Sequence, residues 1–450
     1  MSDGLPLPRR NWASLAMALS VALVILESAI VNVALPVIAR EFAVTAATSI
    51  WIVSAYQMVV AMALLPLAAL GDKFGFRRVY LGGLLLFTLA SAACALATSL
   101  PMLVAFRMLQ ALGGAGVMSV NMTLVHLVYP TRLLGRGISL NASVAAIASA
   151  AGPTIASLIL SGASWPWLFA VNLPLGLLAL LISWKALPDS ARASRPYDTA
   201  SALLNAITFG ALLLAFGGMA NSQPWSVSAA ELFIAAVFGT VFVRRQLSRP
   251  APLLPVDLLR IPMFALSVGT SFCSSCAQMI ALISLPFFLG ETLHRPLIEI
   301  GFMMTPWALM VAITAPFAGV LSDRYPAGIL CALGLALTAC GMALLAALEP
   351  ASTNLDICWR MAVCGIGIGF FQTPNNRAMM ASAPQGRISG ASGMLGTTRL
   401  LGFSCGAALA ALMFTLFNAQ GAVSGLMLAA GIAATGALVS SLRLAATMKR

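Results

Sequence analysis

Apolar residues run along this chain in blocks close to one bilayer crossing in length, and polar and basic residues collect in short clusters between them. A hydrocarbon core of about 30 Å takes roughly 20 apolar residues as helix. Fourteen stretches meet or approach that length, at 12–36, 48–70, 79–98, 101–124, 138–161, 165–185, 200–219, 226–243, 263–289, 297–320, 328–348, 354–376, 391–417 and 421–442. The pattern predicts an all-α integral membrane protein with 14 transmembrane helices. The first block is longer than the core of a signal peptide and no A-x-A-like site follows it. It is expected to remain as a helix despite Arg9 and Arg10 ahead of it.

Composition agrees with the pattern. Of 450 residues, 60% are hydrophobic and 8% are Asp, Glu, Lys or Arg, against roughly 25% charged in soluble domains. A mean hydropathy of +0.96 excludes intrinsic disorder. The net charge of +12 would suit nucleic acid if it were bunched on one polar face, but it is scattered between apolar blocks and so reads as topology. With a cytoplasmic N-terminus, 20 of the 25 Lys and Arg residues fall in loops on the inner side. Only Arg40 and Arg295 lie outside, and Arg107, Arg360 and Arg399 lie within spans. Both termini are expected inside, with 186–199 and 244–262 as cytoplasmic linkers. All eight cysteines fall in spans, and Cys273 with Cys276 reads as helix packing, because no His or further Cys stands near them.

A shift of about 250 residues brings several motifs into coincidence. Ala34-Leu35-Pro36 meets Ser284-Leu285-Pro286, Leu70-Gly71-Asp72-Lys73 meets Leu321-Ser322-Asp323-Arg324, and Arg107-Met108 meets Arg360-Met361. The chain is expected to hold two six-helix bundles, 1–190 and 251–450, with an inserted two-helix hairpin within 191–250 that belongs to neither. Two related bundles around a midplane cavity are the ground plan of a transporter, and no catalytic function is expected.

Of thirteen acids, only Glu27 lies deep in a span. An ionisable group there costs at least about 2.5 kcal/mol and by default marks a pathway. Apolar surroundings and a nearby guanidinium act in opposite directions on a carboxyl, so such a group can be poised to exchange a proton. Helix rise places Glu27 and Arg107 at similar depths, with Gln110 on the Arg107 face. The position matching Glu27 in the second half is neutral Gln278, so proton chemistry is expected in the first half. Gly152-Pro153, among small residues, suits a kinked contact between bundles. The short turn holding Asp72 and Arg77, and its counterpart with Asp323 and Arg324, suits a conformational switch. Asn32, Tyr56, Gln57, Trp307, Phe371, Gln372 and Asn375 complete the candidate cargo contacts, with Trp51 and Asn376 beside them. Arg399, among Gly396, Gly402 and Gly406, reads as part of a packing face. No G-x-x-x-x-G-K-[ST] or H-E-x-x-H occurs, so neither ATP binding, a metal site nor any other cofactor is expected.

These motifs resemble those of the major facilitator superfamily, specifically its fourteen-span drug:proton antiporter branch. The turn at Asp72, Lys73, Gly75 and Arg77 is similar to the signature G-x-L-a-D-r-x-G-r-k, with Ala68 for its first Gly; Gly319 to Arg324 keeps the front of a second copy. Leu26 to Pro36 resembles l-D-x-T-i-V-N-v-A-L-P, with Glu27 for Asp and Ala29 for Thr. Arg107 and Gln110 match R-x-x-Q-G apart from Ala111. Gly152-Pro153 matches the centre of G-x-x-x-G-P-x-x-G-G, with Ala148, Ala156 and Ser157 for outer glycines. The resemblance implies proton-driven multidrug efflux of lipophilic, often cationic compounds from a bacterial cytoplasm across the inner membrane. It assigns coupling to Glu27 and Arg107 and switching to Asp72 and Arg77. The expected partners are a small-molecule substrate, protons and lipid, with no nucleic acid and a monomeric chain. A proton-coupled transporter of a specific metabolite or anion on the same fold is the second reading.

Overall fold

The computed structural model describes residues 4–190, 198–220, 223–248, 254–384 and 387–447, so Arg192, Arg195, Arg249, Lys449 and Arg450 lie outside the described residues. All regular structure among them is helical. The first half holds α1 (Leu7–Glu41), the short α2 (Ala46–Ser49), α3 (Trp51–Phe74), α4 (Phe76–Ala95), α5 (Leu100–Val128), α6 (Leu134–Gly162), the short α7 (Pro166–Ala170) and α8 (Asn172–Ala186). Then come α9 (Thr199–Ala220) and α10 (Trp225–Leu247). The second half holds α11 (Pro262–Phe287), α12 (Leu297–Leu321), α13 (Ala327–Ala346), α14 (Asn354–Ser382), α15 (Ile388–Phe417) and α16 (Gly421–Thr447).

Twelve stretches among the described residues are long and apolar enough to cross a membrane, two fewer than the sequence predicts. Both differences are local. The apolar part of α9, Thr199–Ala215, is shorter than a full crossing, and α15 and α16 fall in one apolar stretch, Gly390–Arg443, broken by the 3-10 turn Asn418–Gln420.

Helix packing recurs between the halves. In the first, α5 packs on α3 and α4, α1 on α6 and α8, and α4 on α8; in the second, α14 packs on α12 and α13, α11 on α15 and α16, and α13 on α16. Lipid is as apolar as a leucine, so close approach and dispersion hold such helices together. Glycines permit it in both halves. A Cβ on Gly113 would lie 2.4 Å from Phe87 N, and one on Gly334 would lie 2.7 Å from Gly367 O. The halves meet through α6 on α12, α1 on α11 and α3 on α15, and α9 packs on α3, α10 and α15.

An apolar cluster lies towards the end of the molecule away from the chain termini. Ile30, Leu35, Trp165, Ile283, Phe287, Met304, Met361 and Phe414 belong to one buried apolar cluster drawn from both halves. Towards the other end, α3 and α4 are joined by Gly75 alone, whose φ of 99° is a conformation that L side chains rarely adopt.

Candidate transport site

The first half builds a buried polar cluster around one ion pair. Glu27 on α1 is 0% exposed and Arg107 on α5 is 1% exposed, with Arg107 Nη1 2.8 Å from Glu27 Oε1. Asn172 Nδ2, at the start of α8, donates to Glu27 Oε2. Arg107 Nη1 also donates to Gln110 Oε1 at 2.5 Å and Nε to the Ile52 carbonyl at 3.5 Å, while Gln110 Nε2 donates to Ser91 Oγ at 2.7 Å. The guanidinium sits 4.3 Å from the centre of the Tyr56 ring and 5.8 Å from that of Phe169. The cluster therefore gathers α1, α3, α4, α5, α7 and α8 around one carboxyl group, with a guanidinium to balance it when ionised. Its neutrality is chemically significant, because a buried pair that loses one partner leaves an uncompensated charge. Ser91, Phe169 and Asn172 were not foreseen. A serine or asparagine in an apolar run reads as packing or a span end, and only the folded arrangement aims these two at Gln110 and Glu27.

The repeat does not carry the pair across. Arg360, the counterpart of Arg107, bonds Asp356 through Nε (3.2 Å) and Nη2 (3.0 Å) on its own helix and also donates to the Leu344 carbonyl. Gln278 lies elsewhere, on the second-half cavity.

The switch candidates take unequal positions. Asp72 is exposed. Arg77 bonds Asp189 Oδ1 at 2.8 Å and the Trp184 carbonyl, and Ser190 Oγ accepts from Phe76 N at 2.9 Å, so the turn is tied to the end of α8. The hydrogen bond and charge of Arg77 hold the Asp189 carboxyl below its ordinary range. In the second half Arg377 pairs with Asp323 and donates to Ser322 Oγ at 3.0 Å, while Arg324 is exposed. Gly152 lies against Ala29, where a Cβ would come within 2.4 Å of the Ala29 Cβ. One turn along, Pro153 O and Ser157 face Gly301 of α12, with 2.4 Å from a Gly301 Cβ to Pro153 O. The Thr154 and Thr305 hydroxyls bond at 2.5 Å across the same seam, which joins the two halves. Gly301 and Thr305 carry no motif that could have marked them.

The second half holds a narrow, partly open pocket between α11, α14 and α15. Gln278, Phe371, Gln372 and Asn376 line it together with Ser271, Ser274, Ser275, Ile368 and Arg399. The Gln372 amide oxygen, oriented by the hydrogen bonds it can make, accepts from Arg399 Nη2 at 3.0 Å and Nη1 at 3.3 Å. Asn375 is turned away: its Oδ1 accepts from Arg443 Nη2 at 2.8 Å and Thr270 Oγ1 at 3.2 Å. Asn32 donates to the Ser28 carbonyl within α1, Gln57 is buried on α3, and the backbone of Trp307 is pressed against Gly365. Trp51 packs over Gly217 of α9.

Known proteins share this architecture. The chain is 51% identical over 445 residues to the uncharacterized transporter YebQ of Escherichia coli K12, covering 98% of this chain and 97% of that one. It is 29% identical to the riboflavin transporter RibZ of Clostridioides difficile (92% and 89% covered) and 31% identical to the multidrug resistance protein Stp of Mycobacterium tuberculosis CDC 1551 (88% and 74%). Its fold matches that of a bacterial homolog to the human lysosomal transporter Spinster with a TM-score of 0.72 at 15% identity, covering 97% of each chain. Residues 17–407 match the Major Facilitator Superfamily, and the chain belongs to that superfamily of multi-pass membrane transporters.

Proposed function

We propose that this protein is a proton-coupled antiporter that exports lipophilic small molecules from the bacterial cytoplasm by alternating access. The observation that carries the reading is the Glu27–Arg107 pair. A carboxyl fully removed from solvent, held by one guanidinium and one amide, is a group whose ionisation must be matched by a change in its surroundings. In the proposed cycle Glu27 gives up its proton when cargo enters from the cytoplasm and regains one from outside after cargo leaves. The multidrug resistance name of Stp supports export of foreign compounds.

The topology proposed with it has fourteen crossings, both termini in the cytoplasm, and an inserted hairpin of α9 and α10 between six-helix bundles at 1–190 and 251–450. Gly390–Arg443, at 54 residues, would span about 80 Å as one helix, far beyond a bilayer core, which supports separate crossings for α15 and α16. The full α9 has 22 residues, enough for another. The basic loops support termini on the inner side, and the recurrent helix pairings support the two bundles. On this topology the apolar cluster shared by the halves lies towards the outer side. Asp72 and Arg77, Asp323 and Arg324, and the Gly152-Pro153 seam are proposed to move as the halves rock.

The test is a growth-inhibition panel of biocides, dyes and antibiotics in a pump-deleted bacterial host, with and without an uncoupler. Protection that the uncoupler abolishes supports the reading. Protection unaffected by collapse of the proton gradient contradicts it.

A further inference from the structure

We propose that Arg399 forms an anion-recognition site that takes the carboxylate of an aromatic or otherwise lipophilic acid. This deepens the export reading, on which it rests for calling the bound molecule cargo, and it replaces the cationic preference expected from the sequence.

Arg399 is set apart from the other two arginines that the sequence places within spans. Arg107 pairs with Glu27 and Arg360 with Asp356. Arg399, half-buried, pairs with no acid among the described residues and is held only by the neutral amide of Gln372. A lone cation at membrane depth is costly, and such groups face cavities and mark ligand pathways. Its depth follows from helix rise: Arg399 is eleven residues into α15, Ser275 thirteen into α11, and Gln372 ten from the end of α14. At 1.5 Å per residue these positions lie about 15–20 Å from one set of helix ends, in a common layer near the middle of the bilayer and beyond lipid headgroups.

The walls of the cavity match that charge. The side chains of Ser271, Ser274, Ser275, Gln278 and Asn376 line it, and none of them bonds another described residue. Polar groups at this depth need a partner, and here they line the same narrow pocket as the guanidinium. Hydroxyls, an amide NH2 and a forked guanidinium all donate to a carboxylate, and Arg is suited to bind it through two parallel bonds. Phe371 and Ile368 supply an apolar wall for the body of the molecule. The frame is tight, because a Cβ on Gly402 of α15 would lie 2.8 Å from Phe272 O and 2.7 Å from Ser275 Cβ of α11. In this conformation the free space takes about one water, so a bicyclic acid enters only as α11, α14 and α15 part. Export of a monoanion against an entering proton would move two charges per cycle, so transport of such an acid would respond to membrane potential.

The probes are 1-naphthoate and its uncharged amide, 1-naphthamide, whose binding is measured calorimetrically to the purified full-length protein in zwitterionic-lipid nanodiscs at pH 7. The expected result is at least tenfold tighter binding of naphthoate than of naphthamide. Arg399→Gln should remove that preference, and Arg399→Lys should keep part of it. Should Arg399→Gln not fold, Ser275→Ala combined with Gln278→Ala should weaken naphthoate several-fold and naphthamide little. Equal affinity of the two probes for the native protein, or a preference that survives Arg399→Gln, overturns the proposal. The measurement needs no gradient, so it separates the two ideas: acid-selective binding without proton-linked flux would sink only the export reading, and proton-linked flux without acid selectivity would sink only this one.

Discussion

Replacing Glu27 by glutamine preserves size while removing a charge and an acceptor from a filled site. Arg107 Nη1 lies 2.8 Å from Oε1, and Asn172 bonds Oε2. Glutamine offers one carbonyl oxygen and one NH2, so whichever way the amide turns, either the guanidinium or Asn172 meets a donor. In either orientation Arg107, 1% exposed, keeps its charge with no carboxylate to balance it. Removing one partner of a buried pair costs about 3–5 kcal/mol, a large part of the 5–15 kcal/mol that holds a typical protein together. Arg107→Met should cost a similar amount by leaving Glu27 alone. Replacing both partners by residues of similar volume is often neutral, so Glu27→Gln with Arg107→Met should be within about 1–2 kcal/mol of the native protein. Equilibrium unfolding in mixed detergent micelles across all four proteins gives the coupling directly. Losses that simply add in the double variant, to within about 0.5 kcal/mol, would show that the two side chains do not act as a pair and refute the reasoning.

Three further outcomes are expected. Gly301→Leu would drive atoms into Pro153 O and Ser157, so transport should fall sharply while the separate halves stay folded, read as lost efflux with retained helicity by circular dichroism. Thr154→Val removes the hydroxyl bonded to Thr305 at 2.5 Å and should cost about 1 kcal/mol, shifting the balance between conformers several-fold; thiol labelling of cysteines introduced near this seam should show altered accessibility, and unchanged labelling would argue against its role. Burial pushes the Asp198 carboxyl up, but bonds from Arg245 and Ser201 outweigh it and hold it at about 2. A lowered carboxyl stabilises above its unfolded value near 3.8 and loses that effect as pH falls through about 2, so anchoring of α9 to α10 should be constant from pH 5 to 8. Hydrogen exchange at the start of α9 should be flat over that range once corrected for intrinsic rate, and faster throughout in Asp198→Asn.

What the sequence revealed depended on how rare a residue is in its setting. Glu27 and Arg107 stood out because ionisable groups in long apolar runs are uncommon, and helix rise alone brought them to similar depths. Their partners did not stand out, since Ser91 and Asn172 are ordinary residues for a membrane helix or its end. Arg399 was visible as a charge, yet its neighbouring glycines suggested packing. That was half right: Gly402 does press α15 onto α11, and the same contact frames the cavity into which Arg399 faces. Asn375 shows the opposite failure, a polar residue beside the cavity whose side chain turns to Arg443 while Asn376 lines the space. The break between 391–417 and 421–442 was legible too, and it coincides with the 3-10 turn Asn418–Gln420 that parts α15 from α16, although the apolar stretch Gly390–Arg443 runs through both.

The central claim is that Glu27 exchanges a proton as cargo crosses, and proton flux from reconstituted vesicles tests it most directly. A trapped pH-sensitive dye should report proton movement only when a transported compound is added to vesicles holding the native protein, and none with folded Glu27→Gln. Cargo-dependent proton movement of native size in Glu27→Gln would contradict the account.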